Sequence, residues 1–233
     1  MKKLIFIIPF IIITIIYLNH ESTVIQIGDL SPKITSKLVE NTKIISSTLG
    51  EEFPIKNIQE VDDYNIQLFA FLHLNQSFTK IITKEEMDDI SYKYLNINNT
   101  NYQDIICPLD NIEVYKYDEK NKLFNYVDKH DHGEVFAKLN NKIYLLDSYK
   151  EDDKYIIEVN ILFGELNTGY QGDATKYYLT ASNSIERKDK LFEITEKENL
   201  ESNYQKLKNN LPVYKVSFKK KENNYLFESI IEK

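Results

Sequence analysis

Tyr155-Ile-Ile-Glu-Val-Asn-Ile-Leu-Phe163 is the stretch whose reading decides the fold. Tyr155, Ile157, Val159, Ile161 and Phe163 recur at a period of two, which puts all five on one face of a long strand. Working outward, Ile112–Tyr117 and Lys122–Tyr126 flank Asp118-Glu-Lys-Asn121 and predict a hairpin. Glu134–Leu139 and Lys142–Leu146 predict a second, with Asn140-Asn141 tolerating the positive φ of a tight turn. Downstream, Tyr177–Leu179 and Leu191–Thr195 read as short strands. Val213–Phe218 and Tyr225–Ile231 close the chain as a hairpin around Asn223-Asn224. Strands joined by such short turns can only pair antiparallel.

Before residue 96 the period is that of a helix. Ser31 suits an N-cap and Pro32 a first helical position. Ile34, Leu38, Ile45 and Leu49 share a side, and Gly50 is placed to end the helix. Tyr64–Phe71, after Asp62-Asp63, predicts a second helix. Thr83-Lys-Glu-Glu86 is a capping box that starts a third, running through Ile90 and Tyr94. Asn199–Lys208, bounded by Pro212, predicts one more. Residues 96–101 are the loop at which the period falls to two. Without repeats or a low-complexity linker, the expected fold is a single α+β domain over residues 32–233. Its N-terminal helices pack on a curved antiparallel sheet.

Ahead of it, Met1-Lys2-Lys3 precedes an apolar run, Leu4–Leu18. Charged and apolar regions in that order form an export signal. As a helix the 15 residues span about 22 Å, short of the roughly 30 Å of a bilayer core. Tyr17-Leu-Asn-His-Glu-Ser-Thr-Val24 offers no small-residue pair for cleavage, and no cysteine stands near position 20 to take a lipid. The reading favoured is an uncleaved signal-anchor over residues 1–18, with a cleaved, secreted form as the alternative. Lys2 and Lys3 mark the cytoplasmic side, residues 19–31 are a juxtamembrane linker, and the domain lies outside the membrane.

The net charge of −7 combines 29 basic with 36 acidic residues. Phosphate backbones need clustered Lys and Arg, so this composition excludes a nucleic-acid partner. Lys219-Lys220-Lys221 is the one basic triplet and marks a solvated strand end. Cys107 is the single cysteine, so no disulfide can form within the chain, and burial is the usual state of a free thiol. The partners expected are the membrane, through residues 4–18, and a cell-envelope protein or glycan.

The closing pattern Tyr214-x-Val216-x-Phe218-Lys219-Lys220, followed by Asn224-Tyr225-x-Phe227-x-Ser229-Ile230, resembles a group of membrane-anchored extracytoplasmic proteins of low-GC Gram-positive bacteria. It is also similar to an NTF2-like or cystatin-like cone. The resemblance covers about the last 120 residues, rests on strand patterning and brings no catalytic motif with it.

Chemistry could sit in two places. Asp128-Lys-His-Asp-His-Gly-Glu134 holds two of the four histidines, and in extended chain His130 and His132 point the same way. They could hold zinc or another divalent ion if Cys107, Glu134 or His73 supplied a third ligand. The alternatives are acid–base chemistry and a polar hairpin loop with incidental histidines. EF-hand spacing is not met. The second place is Gly164-Glu-Leu-Asn-Thr-Gly-Tyr-Gln-Gly-Asp173, where Asn167, Tyr170, Gln171 and Asp173 could line a sugar or peptide site. A flexible connection is the competing reading. It lacks the order of a phosphate loop, and no G-x-S-x-G is present. The sequence supports a non-enzymatic binding domain without a cofactor, with a metal-binding protein built on His130 and His132 as the rival.

Overall fold

The computed structural model describes residues 28–49, 53–74, 81–99, 101–106, 113–127, 141–167, 174–179, 190–195 and 200–233. Among them the order is α1 (Pro32–Thr48), α2 (Asp63–Leu74), β1 (Ile82–Thr83), α3 (Lys84–Leu95), β2 (Ile105–Ile106), β3 (Glu113–Asp118) and β4 (Leu123–Tyr126). Then come β5 (Lys142–Glu151), β6 (Lys154–Asn167), β7 (Ala174–Tyr178), β8 (Lys190–Thr195), α4 (Leu200–Leu207), β9 (Tyr214–Lys221) and β10 (Asn224–Glu232). The arrangement is α+β, with four helices against a curled antiparallel half-barrel. No helix among the described residues is long and apolar enough to cross a membrane, and Leu4–Leu18 lies outside them.

β6 is the strand from which the large sheet is built. Its residues 154–162 pair with β5, 154–159 with β9 and 163–167 with β7. β8 extends the sheet beyond β7, and β10 beyond β9. The alternation read from the sequence fixes one face: Ile157, Val159, Ile161 and Phe163 are fully buried in the main core. The opposite face is covered as well. Leu162 and Tyr177 form a second core with Tyr204 and Leu211, and Tyr204 of α4 stacks on Tyr144 with ring centroids 3.4 Å apart. Asn160, between the two, is 1% exposed, accepts from Tyr204 Oη at 3.0 Å and donates to Pro212 O at 2.9 Å.

The β5–β6 connection corrects one expectation. Lys142–Leu146 does not end at residue 146; it continues to Glu151 and pairs with β6, Lys142 opposite Leu162 and Glu151 opposite Lys154. Asp152 takes φ 55° in the two-residue turn, a conformation that aspartate tolerates. The proposed partner strand, Glu134–Leu139, lies outside the described residues. The terminal hairpin forms as expected, one residue out of step: Lys221 pairs with Asn224, and Glu222-Asn223 makes the turn.

α1 buries Thr35, Leu38, Thr42, Ile45 and Leu49 along one stripe. Three polar side chains tie it to the sheet. Thr35 Oγ1 donates to Ser148 Oγ at 3.2 Å, Asn41 Nδ2 donates to Tyr225 O at 3.2 Å, and Ser46 Oγ accepts from Asn141 Nδ2 at 3.2 Å. The helix is therefore pinned to both β5 and β10. The capping box at α3 forms as predicted, Thr83 N donating to Glu86 Oε2 at 2.9 Å and Glu86 N to Thr83 Oγ1 at 3.2 Å. A four-stranded sheet, β1-β4-β3-β2, adds Ile82, Ile105, Tyr115 and Phe124 to the same core.

Residues 28–30, expected to belong to a linker, are seated on β5. Asp29 N and Leu30 N donate to Ser148 O at 2.6 and 3.3 Å. Gly28 sits at φ 78°, and a Cβ there would lie 2.1 Å from Ser148 O and 2.4 Å from Ser148 N. The unfavourable φ alone costs a non-glycine residue about 1–3 kcal/mol. Gly28→Ala is expected to lower the unfolding free energy of the full chain by at least that amount, read as a lower urea midpoint at unchanged slope. An unchanged midpoint would mean that residues 28–30 are not held on β5.

Candidate functional site

The two pins at Thr35 and Ser46 are eleven residues apart, about 16 Å along a helix axis. Between them α1 stands off β5 and leaves a cleft of about 450 Å³. Val39, Glu40 and Lys43 line it from the helix, and Lys142, Ile143 and Leu145 from the strand. Thr35 and Asn141 close its ends with the same side chains that pin the helix. Strand periodicity explains the apolar wall, because Ile143 and Leu145 fall two apart on β5 and so share a face.

Asn141 is the structural hinge of this cleft. It is fully buried, donates to Ser46 Oγ, and accepts from Gly164 N at 3.2 Å. One side chain thus joins α1, the start of β5 and the middle of β6. Chemically the cleft offers an aliphatic wall with Lys43 and Glu40 of the helix at its edge, while Lys142, adjacent to Ile143 on the strand, directs its side chain to the other face of the sheet. Such a wall suits a ligand with an apolar body.

A second polar cluster sits at the small sheet. Lys84 Nζ lies 2.5 Å from Asp88 Oδ2, Tyr102 Oη donates to Asp88 Oδ1, and Lys84 Nζ stands 4.8 Å over the Tyr102 ring. Burial, and then the Asp88 carboxylate, push the Tyr102 phenol well above its usual value. It therefore remains a proton-bearing donor at neutral pH. With both oxygens of Asp88 engaged inside the cluster, its evident role is to fasten α3 to the segment before β2. Tyr117, whose N–H donates to Asp104 Oδ1 at 2.7 Å, packs 5.5 Å from Tyr102.

The residues singled out from sequence divide differently. His130, His132, Cys107 and Glu134 lie outside the described residues, as do Tyr170, Gln171 and Asp173. Asn167 ends β6, opposite Ala174 of β7, so residues 168–173 link two paired strands. His73, the other possible third ligand, is on α2 with its ring 6.3 Å from Phe69 and 4.9 Å from Tyr94. Among the described residues no three His, Cys, Asp or Glu side chains are grouped to hold a metal ion. Sequence reasoning missed the cleft because its signal is a buried Thr, Ser and Asn on an otherwise amphipathic helix and strand. Such residues read as solvent-facing until their partners are known.

Truncating Asn141 would take its acceptor from the buried Gly164 amide, an effect worth about 1–3 kcal/mol, while Ser46 Oγ keeps its bond to Lys43 O and loses only the tie to β5. Asn141→Ala is expected to reduce unfolding free energy by at least that amount and to loosen the cleft, read by urea denaturation. A neutral result would contradict the bridging role.

Comparison of the chain with protein-family models, with curated proteins and with solved structures finds no match.

Proposed function

We propose that this protein is a membrane-anchored extracytoplasmic binding domain, that the α1–β5 cleft is its ligand site, and that it carries out no reaction of its own. One observation carries the reading: the segment leading back to the apolar run is fastened beside the cleft. Asp29 and Leu30 hydrogen-bond to Ser148, and Ser148 also receives the hydroxyl of Thr35, which lines the cleft. Nine residues, 19–27, separate Leu18 from Gly28, and the ten steps between them can extend no more than about 36 Å. A domain so tethered keeps its cleft close to the membrane surface. The curled sheet with helices against it is consistent with a cone of the NTF2-like or cystatin-like kind.

The surface charges support the exclusion of nucleic acid. Lysines around the β5–β6 and β9–β10 hairpins face carboxylates: Lys215 with Glu151 at 2.6 Å, Lys233 with Glu158 at 2.8 Å, Lys154 with Glu228 at 3.0 Å and Lys219 with Asp153 at 3.2 Å. Cations neutralised in this way make a poor phosphate track.

The full chain, expressed in cells that are then fractionated, should stay with membranes through high-salt and carbonate washes and be digested by protease added outside. Recovery in the cytosol would overturn the reading. Recovery from the medium, shortened near residue 20, would replace the anchor by a cleaved signal. Close to one metal ion per chain, lost in His130→Ala/His132→Ala, would put the metal-binding reading in its place.

A further inference from the structure

Resting on the cleft as the ligand site, we propose that its occupant is an extended segment of a partner protein, added as a strand to the open edge of β5. Residues in an antiparallel pair alternate between those that bond across the pair and those that face away from it. Ser148 sets the phase for β5, because its carbonyl accepts Asp29 and Leu30 from outside the sheet. Gly164, whose amide donates to Asn141 on the β5 side, sets the same phase for β6. Counted back through the bulge between Leu145 and Asp147, Lys142 and Tyr144 bond toward β6, opposite Leu162 and Asn160. Ile143 and Leu145 therefore turn their N–H and C=O groups away from β6. Among the described residues those four groups have no hydrogen-bond partner. They recur every two residues, about 7 Å, the interval at which a further strand offers its own donors and acceptors.

The edge already takes backbone from outside the sheet. Asp29 and Leu30 bond to it at Ser148, and the chain then turns into α1 at Pro32, leaving the stretch at Ile143 and Leu145 open among the described residues. A strand laid there continues the same backbone-to-backbone contact.

The walls fit its side chains. Alternate residues of the added strand share the face of Ile143 and Leu145 and meet Thr35, Ser36 and Val39 of α1, so small or aliphatic side chains suit those positions. The roughly 16 Å between the helix pins holds about five residues of extended chain. No lining residue is aromatic, so a sugar ring has no flat face to stack on. Glu40 and Lys43 bring opposite charges to the rim, so no charged head group is selected. Main-chain hydrogen bonds supply the affinity and the aliphatic wall the preference.

The full chain, in detergent, is used to select binders from a displayed library of random octapeptides. The tightest binder, synthesised with a fluorescent label, is the probe, read by anisotropy. Aliphatic residues are expected at alternate positions. N-methylation of alternate amides along one edge of the probe should weaken binding roughly tenfold or more, and methylation of the intervening amides should not. Leu145→Pro removes an outward N–H that β6 does not use, a substitution edge strands accept, and should weaken binding about tenfold. Val39→Glu, on the helix wall, should do the same and covers the case in which the proline disturbs β5. In the free chain the amides of Ile143 and Leu145 should exchange faster than that of Tyr144, and the probe should slow them. A selection without binders, N-methylation without effect at any position, or equal binding by both variants overturns the proposal. Slow exchange at Ile143 and Leu145 before the probe is added also overturns it, since the edge is then filled by this chain itself, or by a second copy if dilution restores fast exchange. Membrane retention without groove-dependent binding sinks this assignment alone. Groove-dependent binding by a chain that fractionates with the cytosol sinks the anchor and leaves the strand site standing.

Discussion

Everything in the large sheet depends on β6 finding three neighbours. Residues 154–159 have β5 on one side and β9 on the other, and residues 163–167 have β7. Such a strand leaves few backbone groups for water to satisfy, and here both of its faces are also covered by side chains. Ile157, Val159, Ile161 and Phe163 supply one face and Leu162 the other. Truncating a residue such as Phe163 in so closed an environment would cost about 3–5 kcal/mol. Of the polar residues left between, Asn160 is buried with partners and Glu158 is half-buried. Glu158 is held by Lys233 and Tyr149, and the Lys233 hydrogen bond draws its carboxyl below the usual range.

The sheet needs its outer strands protected, and the same elements that do this create the cleft. Ile230 N of β10 donates to Ile55 O at 2.8 Å, so the segment after α1 lies along that strand. On β5, Ser148 O takes the amides of Asp29 and Leu30. An uncovered strand invites pairing with other chains, and a short seated segment blunts that hazard. α1 spans the distance between, with Leu38 and Ile45 in the main core and polar bonds pinning it at Ser148, Asn141 and Tyr225. The cleft is the gap left between two of those pins.

How much of this was legible in the sequence follows from the range of each interaction. The capping box at Thr83–Glu86, the helix at α4 and the terminal hairpin are encoded within a few residues; the first two formed where the pattern put them and the hairpin one residue out of step. β1 and β2 are two residues each, too short to show any period. The β5–β6 turn went unread because Asp152-Asp153 is a weaker turn signal than Asn140-Asn141; Glu134–Leu139, read as the partner of Lys142–Leu146, lies outside the described residues. The cleft was hidden for a different reason. Asn141, Ser46 and Thr35 are hydrophilic by type and buried by partnership, and a partner about a hundred residues away leaves no local trace. Burial of the β6 outer face by Tyr204 and Leu211 escaped in the same way, since Asn160 marks it as wet.

Hydrogen exchange of the full chain, read amide by amide, tests most directly the claim that β6 organises the fold and positions the cleft. Residues 156–162 are predicted to exchange last, only through global unfolding, together with the Gly164 amide that Asn141 holds. Amides of β1 and β2 should exchange earlier, through local opening. Exchange in β6 as fast as in those two-residue strands would contradict the account, because the cleft would then rest on a strand that opens independently.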